Sequence, residues 1–373
     1  MIKAVAMSHS VAMSHASLIS EGRKSAGRML IIVTSILLAA IAIFQILDAS
    51  GVITFGLTDW RPTLYAYVVW AVSVGISQVM MRGEAGHKAL FLLPALLFTI
   101  ALVIFPTVFG FYIAFSEWNL SSFDGQKFNG LDNLRTLYHD TYFWNALRNM
   151  TFYVASVMLQ YALAFGLALL LNADIRARKF FRVAFLLPFM LSPVAVSWMI
   201  GKSLMEFRFG PLAGLARHLG WDNPAFFATP WIARFSILAL DAWVWLPFMI
   251  ILILAGLQAM PKDIQEAAKV DGAAGWTSFW HITFPLMLPV SVTTIVLRII
   301  FQLKLADIVI NTTSGGPGGA TDTVSSFIFR EYRDRSNVGY GTMAAEVYLI
   351  IIIIFITILL NLVGRFMRRE AAQ

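Results

Sequence analysis

The stretch Leu349-Ile350-Ile351-Ile352-Ile353-Ile354-Phe355 decides the fold class, because seven consecutive large apolar residues are too hydrophobic for a surface in contact with water. It lies within an apolar run over residues 343–364. That run is long enough to cross the hydrocarbon of a bilayer as a helix, which takes roughly 20 residues. A helix also satisfies its backbone hydrogen bonds internally, as a segment in lipid must. We therefore predict a membrane-spanning helix at 343–364.

Other segments of the 373-residue chain share this character. They are residues 29–47, 63–81, 89–115, 150–171, 183–203, 235–257 and 282–303. Their apolar residues do not alternate with polar ones, as they would in a β-barrel. The chain is 58% hydrophobic and 13% charged, which is more apolar than a soluble domain of this length can bury. The sequence therefore predicts an all-α membrane protein with about eight transmembrane helices.

The net charge of +7 is distributed unequally over the loops between these spans. With a cytoplasmic N-terminus, the loops on the cytoplasmic side carry a net charge of +8 and the opposite loops a net charge of 0. The cytoplasmic set consists of residues 1–28, 82–88, 172–182, 258–281 and 365–373. This bias follows the positive-inside rule, so we expect both termini in the cytoplasm. The basic excess is thus explained by the lipid bilayer and not by nucleic acid.

Residue types that carry metal or catalytic chemistry form no recognisable pattern. The chain has no cysteine, which excludes disulfides and thiolate metal sites. Its six histidines are scattered over both sides of the predicted membrane without metal-ligand spacing. We therefore expect that this chain binds neither a metal nor a cofactor. We also expect that it is not itself an enzyme.

The cytoplasmic loop at 258–281 has a distinctive design. Pro261 can open a helix and Asp263 favours its first turn. Ala267 and Ala268 offer a bare surface that another protein can approach closely. Gly272 can then end the helix, because glycine readily adopts a positive φ. The loop therefore predicts a short helix that lies along the membrane and fits a groove of a soluble partner.

The spacing in this loop resembles the "EAA" motif of ABC-importer permeases. The matching residues are Glu266, Ala267, Ala268, Asp271, Gly272, Ala273, Phe279, Ile282, Pro285 and Pro289. The resemblance implies a coupling helix within residues 261–275 that docks into a cytoplasmic ATPase. It also implies that Glu266 pairs with a basic residue of that ATPase and that Gly272 permits the turn.

Residues 89–364 are similar to the six-helix, type I core of carbohydrate permeases related to the maltose and glycerol-3-phosphate systems. The stretches that carry this resemblance are Leu92-Leu93-Pro94, Phe128-Asn129-Gly130, Trp245-Leu246-Pro247, Ala255-Gly256-Leu257-Gln258, Gly315-Gly316-Pro317 and Gly339-Tyr340-Gly341. The implied organisation is a cytoplasmic tail at 1–28, two extra helices within 29–88, the core, and a basic tail at 365–373. Ala306-Asp307 stands where many relatives have Phe-Asp.

The resemblance also implies partners and a location. These are a second homologous permease, two cytoplasmic ATPase subunits that bind ATP and Mg, and an extracytoplasmic solute-binding protein, in a bacterial inner membrane. The glycine run at 315–319 lacks the Gly-Lys-Ser/Thr ending of a phosphate-binding loop, so this chain has no nucleotide site of its own.

Several polar and aromatic residues at similar depth are candidates for the substrate pathway. They are Asp241, Trp243, Trp245, Arg298, Lys304 and Glu346. Ionisable residues inside spans usually face a cavity or a partner. One interpretation is a sugar site, in which tryptophans stack on the sugar and an acidic (phosphorylated or sulfonated) sugar suits the two cations. The other interpretation is a structural ion pair between Asp241 and Arg298, or an Arg298 side chain that reaches outward to the interface.

Two functions compete with a sugar-importing ABC permease. An ion-coupled secondary transporter of a small polar solute needs intramembrane ion or proton sites and no ATPase, but it leaves the 258–281 loop unexplained. A membrane-embedded enzyme needs clustered catalytic groups, and the sequence shows none.

Overall fold

The computed structural model describes residues 20–49, 53, 59–123, 125–273 and 275–370. Within these residues, seven helices are long and apolar enough to cross a membrane, and a bent pair of shorter helices brings the number to eight when counted as one span. The seven are Glu21–Asp48, Arg61–Arg82, Gly86–Ala114, Thr141–Asn172, Pro230–Ala259, Trp276–Gln302 and Val338–Arg365. The predicted all-α membrane fold with about eight spans is confirmed.

The helices and strands follow one another along the chain as follows. The α-helices are α1 (Glu21–Ala49), α2 (Arg61–Arg82), α3 (Glu84–Thr99), α4 (Phe105–Ala114), α5 (Asp132–His139), α6 (Thr141–Asn172), α7 (Arg178–Leu186), α8 (Pro193–Val196), α9 (Pro211–His218), α10 (Pro230–Ala259), α11 (Lys262–Val270), α12 (Trp276–Ser278), α13 (Phe284–Gln302), α14 (Asp307–Thr312), α15 (Val324–Arg333) and α16 (Val338–Glu370). Short stretches of π-helix continue three of the spans, at Ile100–Ile104, Ser197–Leu204 and Phe279–Thr283. Strands β1 (Ser116–Glu117) and β2 (Lys127–Phe128) form an antiparallel pair.

The chain divides into two compact units, residues 1–109 and 110–373. The boundary between these compact units lies inside the predicted third span, 89–115. The division into an N-terminal extension at 29–88 and a core at 89–364 stays a prediction. Within the first unit, hydrogen bonds join α1 to α2. Ser77 Oγ donates to the carbonyl of Gly27 at 2.6 Å, and the Trp70 indole N–H donates to Ser35 Oγ at 2.9 Å. Residues 1–19 and 371–373 of the predicted tails lie outside the described residues.

The core of the second unit is built on α6, α10 and α13. Its largest cluster of buried apolar side chains includes Phe143, Met150 and Val157 of α6, with Met249 and Ile253 of α10. The three residues of α6 are seven positions apart, which is two helical turns, and so lie on one face of that helix. Many large apolar side chains elsewhere on the spans are exposed, as helices in contact with lipid require.

The predicted span at 183–203 is broken. Residues Arg178–Met190 and Pro193–Leu204 form two helical pieces with an angle of 97° between them. Each piece is too short to cross a bilayer alone. The break lies at Ser192-Pro193, where Ser192 has an extended backbone (ψ 137°), because the proline ring disfavours a helical conformation in the preceding residue. The sequence predicted an apolar segment at 183–203, and the structure adds the break within it.

Helix α6 begins nine residues before the predicted start of its span at residue 150. Asp140 caps it, with Oδ1 accepting the backbone N–H of Tyr142 at 2.8 Å. The other carboxylate oxygen of Asp140 accepts the hydroxyl of Tyr340 at 2.5 Å. The cap therefore also ties the start of α6 to the start of α16.

Candidate functional site

A cluster of polar side chains lies in the apolar core where α6, α10 and α13 meet. Arg298 of α13 donates from Nη2 to Asp241 Oδ2 of α10 and from Nε to Gln160 Oε1 of α6, the latter at 3.0 Å. The side chains of Arg298 and Asp241 are 0% and 1% exposed. A charge is buried at this depth only when it is paired and hydrogen-bonded, and here three helices supply the partners.

Aromatic side chains cover this cluster on one side. The Trp245 ring stacks on Phe301 with 4.6 Å between the ring centroids, and the Arg298 guanidinium carbon lies 5.4 Å from the Trp245 centroid. Phe189, in the first piece of the broken span, contacts Trp245 edge-on with 5.8 Å between the ring centroids. In this conformation Trp245 therefore contributes to the packing around the ion pair and does not offer an open face.

One guanidinium nitrogen of the cluster is left over. Arg298 Nη1 is buried and has no hydrogen-bond partner among the described residues. The hydroxyl of Tyr153, which lies two turns before Gln160 on the same face of α6, is in the same state. Buried donors without a partner are costly, so these two atoms reduce the stability of the core in this conformation.

The other predicted pathway residues lie apart from this cluster. Trp243 is 38% exposed, and Lys304 is exposed just beyond the end of α13. Glu346 is buried in α16, where one carboxylate oxygen approaches Gly110 so closely that a Cβ on Gly110 would collide with it. Its other oxygen has no hydrogen-bond partner in the described part of the chain. The structure thus brings together Asp241, Trp245 and Arg298 only.

Sequence reasoning missed Gln160. The residue is 2% exposed and contacts a side chain 138 positions later in the chain. Its signal was present, because Gln160 is a polar residue inside the otherwise apolar run at 150–171. Such residues in a span usually face the bundle interior.

The loop at 258–281 contains the short helix α11 (Lys262–Val270). Glu266 and Ala267 are exposed, whereas Ala268 is buried. Gly272 has a φ of +75°, and the N–H of Ala273 reaches back to the carbonyl of Ala268 at 2.9 Å. This is the bond pattern of a glycine-terminated helix, which ends α11 sharply. Glu266 and Ala267 are open, but the expectation that Ala268 also offers a bare surface is wrong, because this residue is only 4% exposed.

No group of three or more His, Asp or Glu side chains within the described residues is placed to hold a metal ion. Outside the spans, the charged groups with shifted pKa values near the second unit's surface are Arg330 and Glu331. Hydrogen bonds to Asp322 raise the pKa of Arg330, and burial raises the pKa of Glu331.

Comparison with known proteins identifies relatives over most of the chain. Residues 160–369 match the family described as "Binding-protein-dependent transport system inner membrane component". The trehalose/maltose transport system permease protein MalF of Thermococcus litoralis is 33% identical over 286 residues, which are 76% of this chain and 96% of the relative. The sulfoquinovosyl glycerol transport system permease protein SmoG of Agrobacterium fabrum is 30% identical over 267 residues, 71% of this chain and 86% of the relative.

A solved structure shares the fold. It is a bacterial alginate ABC transporter in complex with an alginate pentasaccharide-bound periplasmic protein, and one of its chains aligns with a TM-score of 0.64 at 20% identity. The alignment covers 82% of this chain and 97% of that chain. The resemblance to carbohydrate ABC-importer permeases, stated above from the motif residues, is confirmed. The chain belongs to the family of binding-protein-dependent transport system inner membrane components.

Proposed function

We propose that this chain is the permease subunit of an ABC importer that moves a sugar or sugar derivative into the cytoplasm. The energy comes from ATP hydrolysis by a separate ATPase subunit. Family membership favours this function over an ion-coupled secondary transporter, which would also leave the short helix α11 without a role.

The observation that carries the proposal is the exposed face of α11. Glu266 and Ala267 are open to a partner, and Gly272 ends the helix immediately behind them. A carboxylate on a short exposed helix is well suited to pair with a basic residue in a groove of the ATPase. Closure of the ATPase upon ATP binding would then move α11 and the two spans that flank it, α10 and α13.

The importer also requires other partners. They are a second homologous permease, two ATPase subunits that bind ATP and Mg, and an extracytoplasmic binding protein. The positive-inside bias supports an orientation in the bacterial inner membrane with both termini in the cytoplasm. In that orientation α11 faces the ATPases, and the loop between α13 and α16 faces the binding protein.

The buried cluster suits a two-state transport cycle. Asp241 and Arg298 belong to the two spans that flank α11, so their ion pair transmits movement of one span to the other. The unpartnered Arg298 Nη1 supports a second arrangement of these helices. ATP-driven closure would shift the population between the two arrangements, which is the basis of alternating access.

The cargo is a sugar or sugar derivative, including acidic ones. Relatives are named for trehalose/maltose and for sulfoquinovosyl glycerol, and a protein of the same fold imports the acidic polysaccharide alginate. Because Arg298 is neutralised by Asp241 in this conformation, Lys304 is the exposed cation of the predicted pathway set that an acidic sugar would meet. Trp243, Trp245 and Glu346 remain proposed contributors to the pathway.

Co-purification tests the proposal directly. The tagged chain is isolated from its native membranes in mild detergent, and the proteins that accompany it are identified. We expect an ATPase and a second permease at stoichiometric amounts. Recovery of the chain without an ATPase, together with sugar uptake that persists after ATP is depleted, would contradict the importer function and favour an ion-coupled transporter.

A further inference from the structure

The loop between α14 and α15, residues 313–323, is held in one conformation by side chains from several helices. Asn145 and Asn149 of α6 donate to the carbonyl of Gly319 at 2.7 and 2.9 Å. Arg234 of α10 donates to the carbonyl of Ala320 at 2.8 Å. A glycine-rich loop is intrinsically flexible, so this many anchors indicate a conformation that the fold specifies.

Within the loop, the backbone takes conformations that only a constrained segment keeps. Ser314 has a φ of +51°, and Gly315 has a φ of +88°. A Cβ on Gly315 would overlap the Arg330 guanidinium, so glycine is required there for the arginine to pass. Strained backbone of this kind concentrates at functional sites.

Two arginines of this region each form an ion pair with an acidic side chain. In both pairs the carboxylate is buried and the guanidinium is at least partly exposed to solvent. Asp322 is 1% exposed and binds Arg330 through both carboxylate oxygens, while the Arg330 side chain is 23% exposed. Glu331 is 3% exposed and pairs with Arg335, which is 59% exposed. Each pair is neutral as a whole, but the part that meets solvent is cationic.

A cavity of about 290 Å³ opens between the loop and these two arginines. Its lining includes Tyr142, Ser314, Arg330 and Arg335, and also the carboxylate of Asp322, which Arg330 binds. The volume lies at the lower limit for small-molecule sites, which span roughly 300–1,000 Å³, and it suits one side chain better than an oligosaccharide. Because Arg330 neutralises Asp322, the charge that faces the cavity comes mainly from Arg335, which is 59% exposed. Guanidinium groups, a hydroxyl and bare backbone are partners for a carboxylate.

We infer that this cavity is a preformed receptor for an acidic side chain of the extracytoplasmic binding protein. The inference rests on the proposed function, which puts this loop on the side where the binding protein docks. A charged rim of this type mainly raises the association rate and selects the correct partner, so its contribution weakens as salt is added.

The test uses Ser314, because Asn and Asp both tolerate its positive φ and differ from each other only in charge. The complete transporter in nanodiscs is titrated with sugar-loaded binding protein, and stimulated ATP hydrolysis is measured. Ser314→Asp should raise the half-saturating concentration about tenfold at low ionic strength, since it places a like charge beside the incoming carboxylate. Ser314→Asn should remain within about twofold of the wild type.

A second pair of variants controls for the possibility that a substitution at Ser314 acts by changing the conformation of the loop. Arg335→Gln removes a cation of the cavity, whereas Arg333→Gln removes a cation two residues earlier, at the end of α15, whose guanidinium lies over Phe329 and outside the cavity. We expect Arg335→Gln to raise the half-saturating concentration of the binding protein, and Arg333→Gln to leave it unchanged. Equal half-saturating concentrations for Ser314→Asp and Ser314→Asn, with Arg335→Gln at the wild-type value, would overturn the inference. Absence of any stimulation in the wild type would instead contradict the proposed function.

Discussion

At the residue scale, the buried pair of Asp241 and Arg298 makes a strong prediction about stability. Asp241→Asn leaves a buried cation without a counter-charge, which costs about 3–5 kcal/mol of the free energy of unfolding. The double variant Asp241→Leu/Arg298→Met removes both charges and should recover most of that loss. Thermal unfolding in detergent measures both effects.

The same double variant separates the two interpretations of the cluster. If it is stable but transports no sugar, the pair acts in the transport cycle; if it transports normally, the pair only holds the helices together. An Asp241→Asn variant that is as stable as the wild type would contradict the presence of a buried ion pair.

Glu331, outside the spans, makes a prediction about pH. Burial raises its pKa above the ordinary 4.5, against the opposing charges of Arg335 and Arg330, and Asp140 raises it further. A raised pKa means that the folded state holds the proton more tightly than the unfolded state does. The associated stability is complete below pH 4.5 and is lost as the pH rises through the raised pKa.

The comparison variant is Glu331→Gln, which keeps the shape without the titration. Its melting temperature relative to the wild type should increase as the pH rises from about 4.5 to 8. A difference that stays constant over this range, or that falls, is incompatible with a buried Glu331 carboxyl.

The residues also show where sequence reasoning ends. Asp241 and Arg298 stand out as charges in apolar runs, and their similar depth made a contact between them foreseeable. The third partner, Gln160, and the covering of Trp245 by Phe301 were not foreseeable, because they depend on the rotation of three helices about their axes. Packing against neighbouring helices sets such rotations, so they cannot be predicted from the pattern of one sequence.

At the element scale, the end of α11 is the most specific feature. Gly272→Ala puts a Cβ on a residue with a φ of +75°, which costs roughly 1–2 kcal/mol. Among the described residues, no atom lies within 4 Å of a Cβ added there, chain neighbours aside, so we expect the effect to act through the backbone. We expect ATP hydrolysis by the complex to depend less on the binding protein in Gly272→Ala than in Gly272→Asn, because Asn tolerates the left-handed region better than Ala does. Equal behaviour of the two variants would argue against a required turn.

The broken span illustrates what a proline does and does not predict. Pro94, Pro247 and Pro289 lie inside continuous helices, whereas Pro193 begins a new piece after a 97° bend. Helix interiors in membranes tolerate proline when neighbours satisfy the freed carbonyl. Composition therefore predicted the apolar segment at 183–203 but not whether it continues straight.

At the scale of the whole molecule, the orientation in the membrane is open to a direct test. The natural chain has no cysteine, so single cysteines can be introduced without removing any. Ser314→Cys should react with a membrane-impermeant maleimide added outside intact cells, and Lys179→Cys only after the membrane is permeabilised. Both positions are exposed in the structure. The reverse labelling pattern would invert the topology and remove the binding-protein receptor from its proposed side.

The central claim is that ATP hydrolysis in a separate subunit drives this permease through Glu266 on α11. The most direct measurement is sugar-dependent ATP hydrolysis by the reconstituted complex, with Glu266→Ala beside the wild type and Asp263→Asn as a control on the same helix. We predict that Glu266→Ala lowers the stimulated rate about tenfold or more, as expected when an interfacial charge pair is lost. The Asp263→Asn control should stay close to the wild type. Stimulation that is undiminished in Glu266→Ala would contradict coupling through this helix.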